Sequence, residues 1–227
     1  MVTMTDSEGA PEPAAEGGGA VGSGENLGED AWLLEDLVDQ EAASAAATVG
    51  AIAREVEEFV AAGGWQQPPQ LFALVPTAEL LSQQPELADS LDPNAELTPV
   101  AQDSLPDDDL AEALATIAWP ELVQGCALAQ EIIVLPPDAE EELPEVDESS
   151  GVSDTDVERL KQAAAGHPQR TEARLVATVL RDGPAACVMR LRGARTGSDD
   201  TEPGEEIVEH PELAPNLVDA LRATLLP

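Results

Sequence analysis

The sequence predicts an α+β fold: a mainly antiparallel four-stranded sheet packed against an N-terminal and a C-terminal helix. Three observations carry that expectation. An N-terminal stretch repeats its apolar residues at helical spacing, four later runs are short, apolar and strand-like, and two of those runs flank an Asp-Gly pair.

Residues 1 to about 28 are rich in Gly, Pro, Ala and Glu, too poor in apolar side chains to offset the entropy of ordering, and are expected to form a disordered acidic arm. Residues 29–227 are expected to form one domain. From Asp30, Leu34, Val38, Ala42, Ala45, Val49, Ile52, Val56 and Phe59 recur at spacings of three and four, one stripe on a helix of about 30 residues that Gly63 and Gly64 end. Such a stripe fits either a coiled-coil dimer or packing on the chain's own sheet; the alanine-rich seam with few flanking charge pairs favours the sheet.

Gln70–Val75, bounded by prolines, reads as the first strand, and Thr77 is placed to cap a short helix over 78–83. An irregular region through Leu105 follows. Pro106 and Asp107-Asp108-Asp109 then open a helix carrying Leu110, Leu114 and Ile117 on one face, with Trp119 expected to plug the end of the core. Gly125–Leu135, β-branched at its end, reads as the second strand. Residues 136–152 are an expected mobile acidic linker, and Ser153 with Asp156 resembles a capping box opening a short helix that ends at Gly166.

Thr171–Arg181 and Ala185–Arg192 are the remaining strands, joined at Asp182-Gly183. A second acidic linker is expected at about 193–206. A final helix from about Pro215 carries Leu217, Leu221 and Leu225 in line with Leu213.

The chain has 227 residues with 46 Asp and Glu against 10 Lys and Arg, a formal net charge of −36. That balance opposes binding to nucleic acid or to anionic membranes and leaves a cationic partner open. Lys161 is the single lysine, a bias that fits a GC-rich genome or a halophilic origin. Cys126 and Cys187 lie in strand-like runs and read as small core residues in a reducing compartment. The N-terminus has neither the basic nor the apolar region of a signal peptide, so the expected location is the cytoplasm.

No chemistry is legible from motifs. The sequence has no CxxC, no HExxH, no Walker loop and no strand followed by GxGxxG, and Asp107-Asp108-Asp109 lacks the ligand spacing of a calcium loop. His167 and His210 each precede proline in connecting segments and read as surface turn residues; an enzyme would need them to converge with carboxylates in a pocket. No catalytic residue, metal ligand or cofactor is therefore expected.

Charge placement is the exception to this blandness. Residues 159–195 hold eight of the ten basic groups (Arg159, Lys161, Arg170, Arg174, Arg181, Arg190, Arg192 and Arg195) against Glu172 and Asp182, a net of +6 that leaves −42 elsewhere. With a two- or four-residue turn, strand alternation puts Val176, Thr178, Leu180, Cys187, Met189 and Leu191 on a core face. Leu175, Ala177, Val179, Arg181, Val188, Arg190 and Arg192 then share the other. Arg181, Arg190, Arg192, Leu175, Val179 and Val188 are thus the candidate surface for an acidic, partly apolar peptide or for the chain's own acidic arm. The plainer reading is an ordinary sheet face whose arginine stems cover valines.

Four segments, GEDAWLLEDLVDQEAA, AWPELVQGCALAQEIIVLPP, HPQRTEARLVATVLRDG and HPELAPNLVDALRATL, together resemble an uncharacterised family of small acidic proteins from actinobacteria. The resemblance covers about residues 26–227 without the linkers and implies no activity, cofactor or catalytic residue. More loosely, the element order is similar to the α+β folds of secretion-chaperone-like proteins. The expected function is a non-enzymatic, cytoplasmic protein-interaction or chaperone-like module. The alternatives are an acidic, nucleic-acid-mimicking decoy for a basic protein and an enzyme of unrecognised type.

Overall fold

A computed structural model of the chain describes residues 29–103, 105, 110–136, 139, 144, 154–194 and 204–226. The expected N-terminal arm, most of the 136–152 linker and the 195–203 part of the second linker lie outside the described residues. By compactness the chain divides into Met1–Val38, which holds the beginning of the first helix, and Asp39–Pro227, which holds the remaining elements.

The elements are α1 (Glu29–Ala62), β1 (Gln70–Pro76), α2 (Thr77–Gln83), a 3₁₀ turn (Pro85–Asp89), β2 (Leu97–Ala101), α3 (Leu110–Ala115), β3 (Gly125–Val134), α4 (Asp154–Gly166), β4 (Thr171–Leu180), β5 (Ala185–Ala194), β6 (Gly204–Glu209) and α5 (Pro215–Thr224). The α+β class and the antiparallel sheet are as the sequence predicts. The sheet, however, has six strands rather than four, in the order β2-β1-β3-β4-β5-β6. The two additional strands are the edges. β2 carries Pro99 and β6 reads Gly-Glu-Glu-Ile-Val-Glu, so each bears the proline or charge that keeps an edge from pairing with a foreign chain, and each reads as loop for that reason.

Thr77 does not cap α2: its hydroxyl pairs at 2.8 Å with that of Thr98 on β2, and the N-cap position is Pro76. The β4–β5 hairpin also departs from expectation. Val179 pairs with Ala185, which leaves five residues in the connection, and Leu180 N–H donates to Pro184 O. Asp182-Gly183 is not a two-residue type I′ turn, because Gly183 lacks the positive φ that such a turn requires.

An odd connection reverses the relation between the strands. Leu175, Ala177 and Val179 pair with Met189, Cys187 and Ala185, whereas Arg174, Val176 and Thr178 pair with Arg190, Val188 and Ala186.

Each face of the sheet carries its own core. On one, Leu71, Ala73, Cys126, Leu128, Leu175, Ala177, Val179 and Cys187 pack with Leu114 of α3 and with Val218, Leu221 and Leu225 at α5. Trp119 closes this core as expected, its indole N–H donating to Thr224 Oγ1 at 3.0 Å. On the other, Phe72, Leu74, Ala127, Ala129, Val176 and Val188 pack with Ile52, Ala53, Val56 and Val60 of α1.

The stripe on α1 runs differently from its sequence reading. Val49, Ile52 and Val56 are buried, but Phe59 is 61% exposed and Ala53, Glu57 and Val60 take the inner positions. Strict alternation of three and four is a 3.5-residue repeat, and a straight helix of 3.6 residues per turn rotates such a seam away from its support.

Two predictions follow from the packing around β3. At Gly125 a Cβ would stand 2.4 Å from Val179 O and 3.0–3.1 Å from Leu180 and Leu74, so Gly125→Ala is expected to cost about 2 kcal/mol in urea unfolding. Next to it, Cys126 is fully buried against Leu221 O and Thr224, and burial pushes its thiol up to about 11 from an ordinary 9.0. A folded value above the unfolded one contributes stability that is present below pH 9 and lost as pH rises towards 11. The wild type is therefore expected to lose about 3 kcal/mol across that window, and Cys126→Ala to show a correspondingly flatter profile in pH-dependent denaturation.

Candidate functional site

β3, β4 and β5 bring three charges into one row under α1. Glu131 is the register partner of Arg174, and Arg174 is the register partner of Arg190. Like charges directly across a ladder destabilise it, so the two arginines need a carboxylate between them. Glu57 of α1 supplies it. Arg190 grips Glu57 in a fork, Nε to Oε1 at 2.6 Å and Nη2 to Oε2 at 2.5 Å, and Arg174 Nη1 lies 3.5 Å from Oε1 of the same carboxylate. Glu57 and Arg174 are each 1% exposed.

The turn after α1 closes the row. Gly63 and Gly64 end the helix with N–H bonds to Val60 O and Ala61 O, and Gly64 at φ 82° turns its carbonyl to accept from Arg174 Nη2. Gln66 then adopts φ 69°, a left-handed conformation costly for a side chain with a Cβ. Glu131 offsets that cost by accepting the N–H groups of Gln66 at 3.0 Å and Gln67 at 3.3 Å. This places Trp65 with the guanidinium of Arg174 at 4.6 Å and that of Arg192 at 5.2 Å from its ring centroid. Arg192 also pairs with Glu172 at 2.5 Å.

The edge strand joins the same network. Arg190 Nη1 donates to Glu205 at 2.8 Å, and exposed Arg54 of α1 forks onto Glu209 with two 2.6 Å bonds. Arg190 is held above the ordinary arginine range, first by its hydrogen bonds to Glu57, and Glu209 below the ordinary carboxylate range, first by its bond to Arg54. Arg174 Nε and Thr178 Oγ1, both buried under α1, have no hydrogen-bond partner among the described residues.

The six candidate residues are not brought together. Leu175 and Val179 are buried on the α5 face, and Val188 lies under α1. Arg190 and Arg192 do share the α1 side, engaged as above. Arg181 lies in the connection beyond β4, where its guanidinium donates to Val123 O, Pro120 O and Leu225 O, a cation over the C-terminal carbonyls of α5. The assignment of all six to one face is therefore corrected; its physical cause is the five-residue connection, which inverts the parity expected from a two- or four-residue turn.

Sequence reading missed Arg174, Glu57, Glu131 and Trp65 as a group. One signal was present: Glu57 falls among the buried positions Ile52, Ala53, Val56 and Val60, where a carboxylate demands a cation opposite.

Of the two histidines, His167, four residues before β4, is buried rather than the surface turn residue expected, whereas His210, whose N–H bonds Cys187 O on β5, is exposed as expected. Each ring accepts at Nδ1 from the N–H two residues on. Among the described residues there is no cluster of three His, Cys, Asp or Glu side chains arranged to hold a metal ion, and no helix long and apolar enough to cross a membrane.

Removing one partner of the buried triad leaves a charge without compensation. Glu57→Gln is expected to lower stability by about 3–5 kcal/mol in urea titration, and replacing Glu57, Arg174 and Arg190 together by Leu, Met and Met to cost less than Glu57→Gln alone. Equal or greater loss in the triple variant would show that packing, not charge balance, sets the effect.

A family model described as PPA1309-like protein matches residues 49–226. No curated protein and no solved structure matches the chain. The matched region begins at Val49, the first fully buried residue of α1 among those whose side chains are described, and runs through α5. It spans well over half of the sequence and includes the whole ionic row, and on that match the chain belongs to the PPA1309-like protein family.

Proposed function

We propose that the chain is a non-enzymatic, cytoplasmic protein-interaction module whose partners are basic protein segments. The observation that carries this reading is the internal engagement of the hairpin arginines. Arg174, Arg181, Arg190 and Arg192 are bound to Glu57, Glu131, Glu172, Glu205 and backbone carbonyls, and Arg54 to Glu209. Three of the island's eight basic groups, Arg174, Arg181 and Arg190, are thus turned into the fold, with α1 lying over Arg174 and Arg190, whereas Arg159, Lys161, Arg170 and Arg192 stand exposed in a chain dominated by carboxylates.

What the module offers to other molecules is the remaining charge, in a chain of net −36. A surface dominated by carboxylates attracts cationic partners over about a Debye length and repels nucleic acid and anionic lipid. Capture with the full-length chain as bait is expected to recover proteins with basic segments at low salt and to lose them at high salt. Recovery that is indifferent to salt, or a recovered set no more basic than the input, would sink the proposal.

A further inference from the structure

We infer that the outer edge of β6 is a docking site for a basic, partly apolar β-strand of a partner protein, added antiparallel to the sheet. This rests on the proposed preference for basic partners and names the surface that exercises it. β6 ends the strand order, with β5 on its inner side. His210 N–H donates to Cys187 O, and the register of Glu209 with Val188, Val208 with Met189, Ile207 with Arg190 and Glu206 with Leu191 makes Val208 and Glu206 the next hydrogen-bonded positions. The backbone N–H and C=O groups of Ile207 and Glu209 therefore point away from β5. The opposite edge is closed to such an addition: the bonds at Glu96 and Gln102 turn Pro99 outwards, where it has no N–H to offer. β6 holds no proline, and it is tied down near both ends, Glu205 by Arg190 at 2.8 Å and Glu209 by two 2.6 Å bonds from Arg54. An edge already held in extended form loses little entropy when a strand is added.

The side chains along this edge specify the added strand. Glu205, Glu206, Ile207 and Glu209 are exposed, Ile207 at 49%, and Val208 is half-buried. Glu209 has both oxygens on Arg54 and is locally neutralised, whereas Glu205 gives Arg190 one oxygen and Glu206 makes no ion pair among the described residues. From Glu209 towards Glu205, the edge thus offers a neutral pair, then β-branched Val208 and Ile207, then two carboxylates. An antiparallel strand in register presents two β-branched residues opposite Val208 and Ile207, followed by two arginines or lysines opposite Glu206 and Glu205. Main-chain bonds supply affinity in this mode of recognition, and the alternate side chains supply specificity. A second copy does not fit, because pairing two such edges about Ile207 sets Glu205 opposite Glu209 and Glu206 opposite Val208, and like charges across a ladder destabilise it. The glutamates that keep an acidic chain off this edge thereby select a basic one.

The test uses the full-length chain at low salt and a short threonine-rich probe peptide in which two β-branched residues precede two arginines. Controls are a scrambled peptide of the same composition and two N-methylated forms. One is methylated at the residue opposite Ile207, whose N–H would face β6, and the other at the residue opposite Glu206, whose N–H would face solvent. Saturable binding that slows hydrogen exchange of the Ile207 and Glu209 amides at least about tenfold is the expected result. The first methylation is expected to weaken binding about tenfold and the second less than about twofold. Equal binding by the scrambled peptide or by the form methylated opposite Ile207, or unchanged exchange at Ile207 and Glu209, would place recognition in charge alone, overturning the edge site while leaving the preference for basic partners intact. If no peptide binds, both fall. Slow exchange of the same amides before any peptide is added would assign the edge to the chain itself or, with a dimer in sedimentation equilibrium, to a second copy, either of which overturns the proposal.

Discussion

Two arginines stand directly opposite each other on neighbouring strands, Arg174 on β4 and Arg190 on β5, and the α1 side of the molecule is arranged around that fact. Without a carboxylate between them the central ladder would carry a like-charge pair at its closest approach. Glu57 is the carboxylate, and its position fixes α1 in azimuth and in translation. A shift of one residue along the helix would carry Glu57 100° away and put Val56 or Glu58 over the guanidinium groups. The apolar contacts of Ile52, Ala53, Val56 and Val60 hold the helix down but would accept neighbouring registers at small cost. The charges accept one, so the triad specifies the arrangement more than it stabilises it.

The same constraint reaches past the helix. Arg174 has more donors than Glu57 can accept, and Gly64 O and Glu131 take others, which brings the α1–β1 turn down onto the sheet and fixes the unusual backbone at Gln66. Arg190 also reaches Glu205, and Arg54 holds Glu209, so the edge strand β6 is tied to the helix as well as to β5. On the α5 side no such row is found among the described residues. That helix is seated by leucines and Val218, and at its end Arg181 donates to Leu225 O.

The central strands were legible because each carries a long apolar run near a Pro or Gly, and the two covering helices because their apolar positions recur every three or four residues. What was not legible turned on single-residue differences. β2 and β6 look like loops because Pro99 and the glutamates of Gly204–Glu209 protect edges. The face assignment failed on the length of one connection: Asp182-Gly183 is a strong hairpin pair, but Pro184 presents its carbonyl to Leu180 N–H and the connection closes at Val179 and Ala185. One residue of difference set Arg190 and Val188 beside Arg174 and Val176 and left Leu175 and Val179 with Met189 and Ala185 on the opposite core. Phe59 was misplaced by a smaller effect, the drift between a 3.5-residue repeat and a straight helix.

Near-exclusive use of arginine has a structural reason at these positions, whatever its genomic one. Arg190 serves Glu57 with two parallel bonds and Glu205 with a third, and Arg174 lies against Trp65 while meeting Glu57, Glu131 and Gly64 O. A lysine ammonium is a compact, strongly hydrated charge that can neither fork onto a carboxylate nor stack flat on an indole. Burial of cations in this way has an outward consequence. The guanidinium of Arg174 is withdrawn from water and that of Arg190 largely so, and their nearest counter-charges, Glu57 and Glu131, are withdrawn with them. The exchange removes positive and negative charge in equal number from a chain that has 10 of one and 46 of the other. Each such pair raises the ratio of carboxylates to cations in the exposed remainder, so the packing that organises the interior also sharpens the acidity of the exterior.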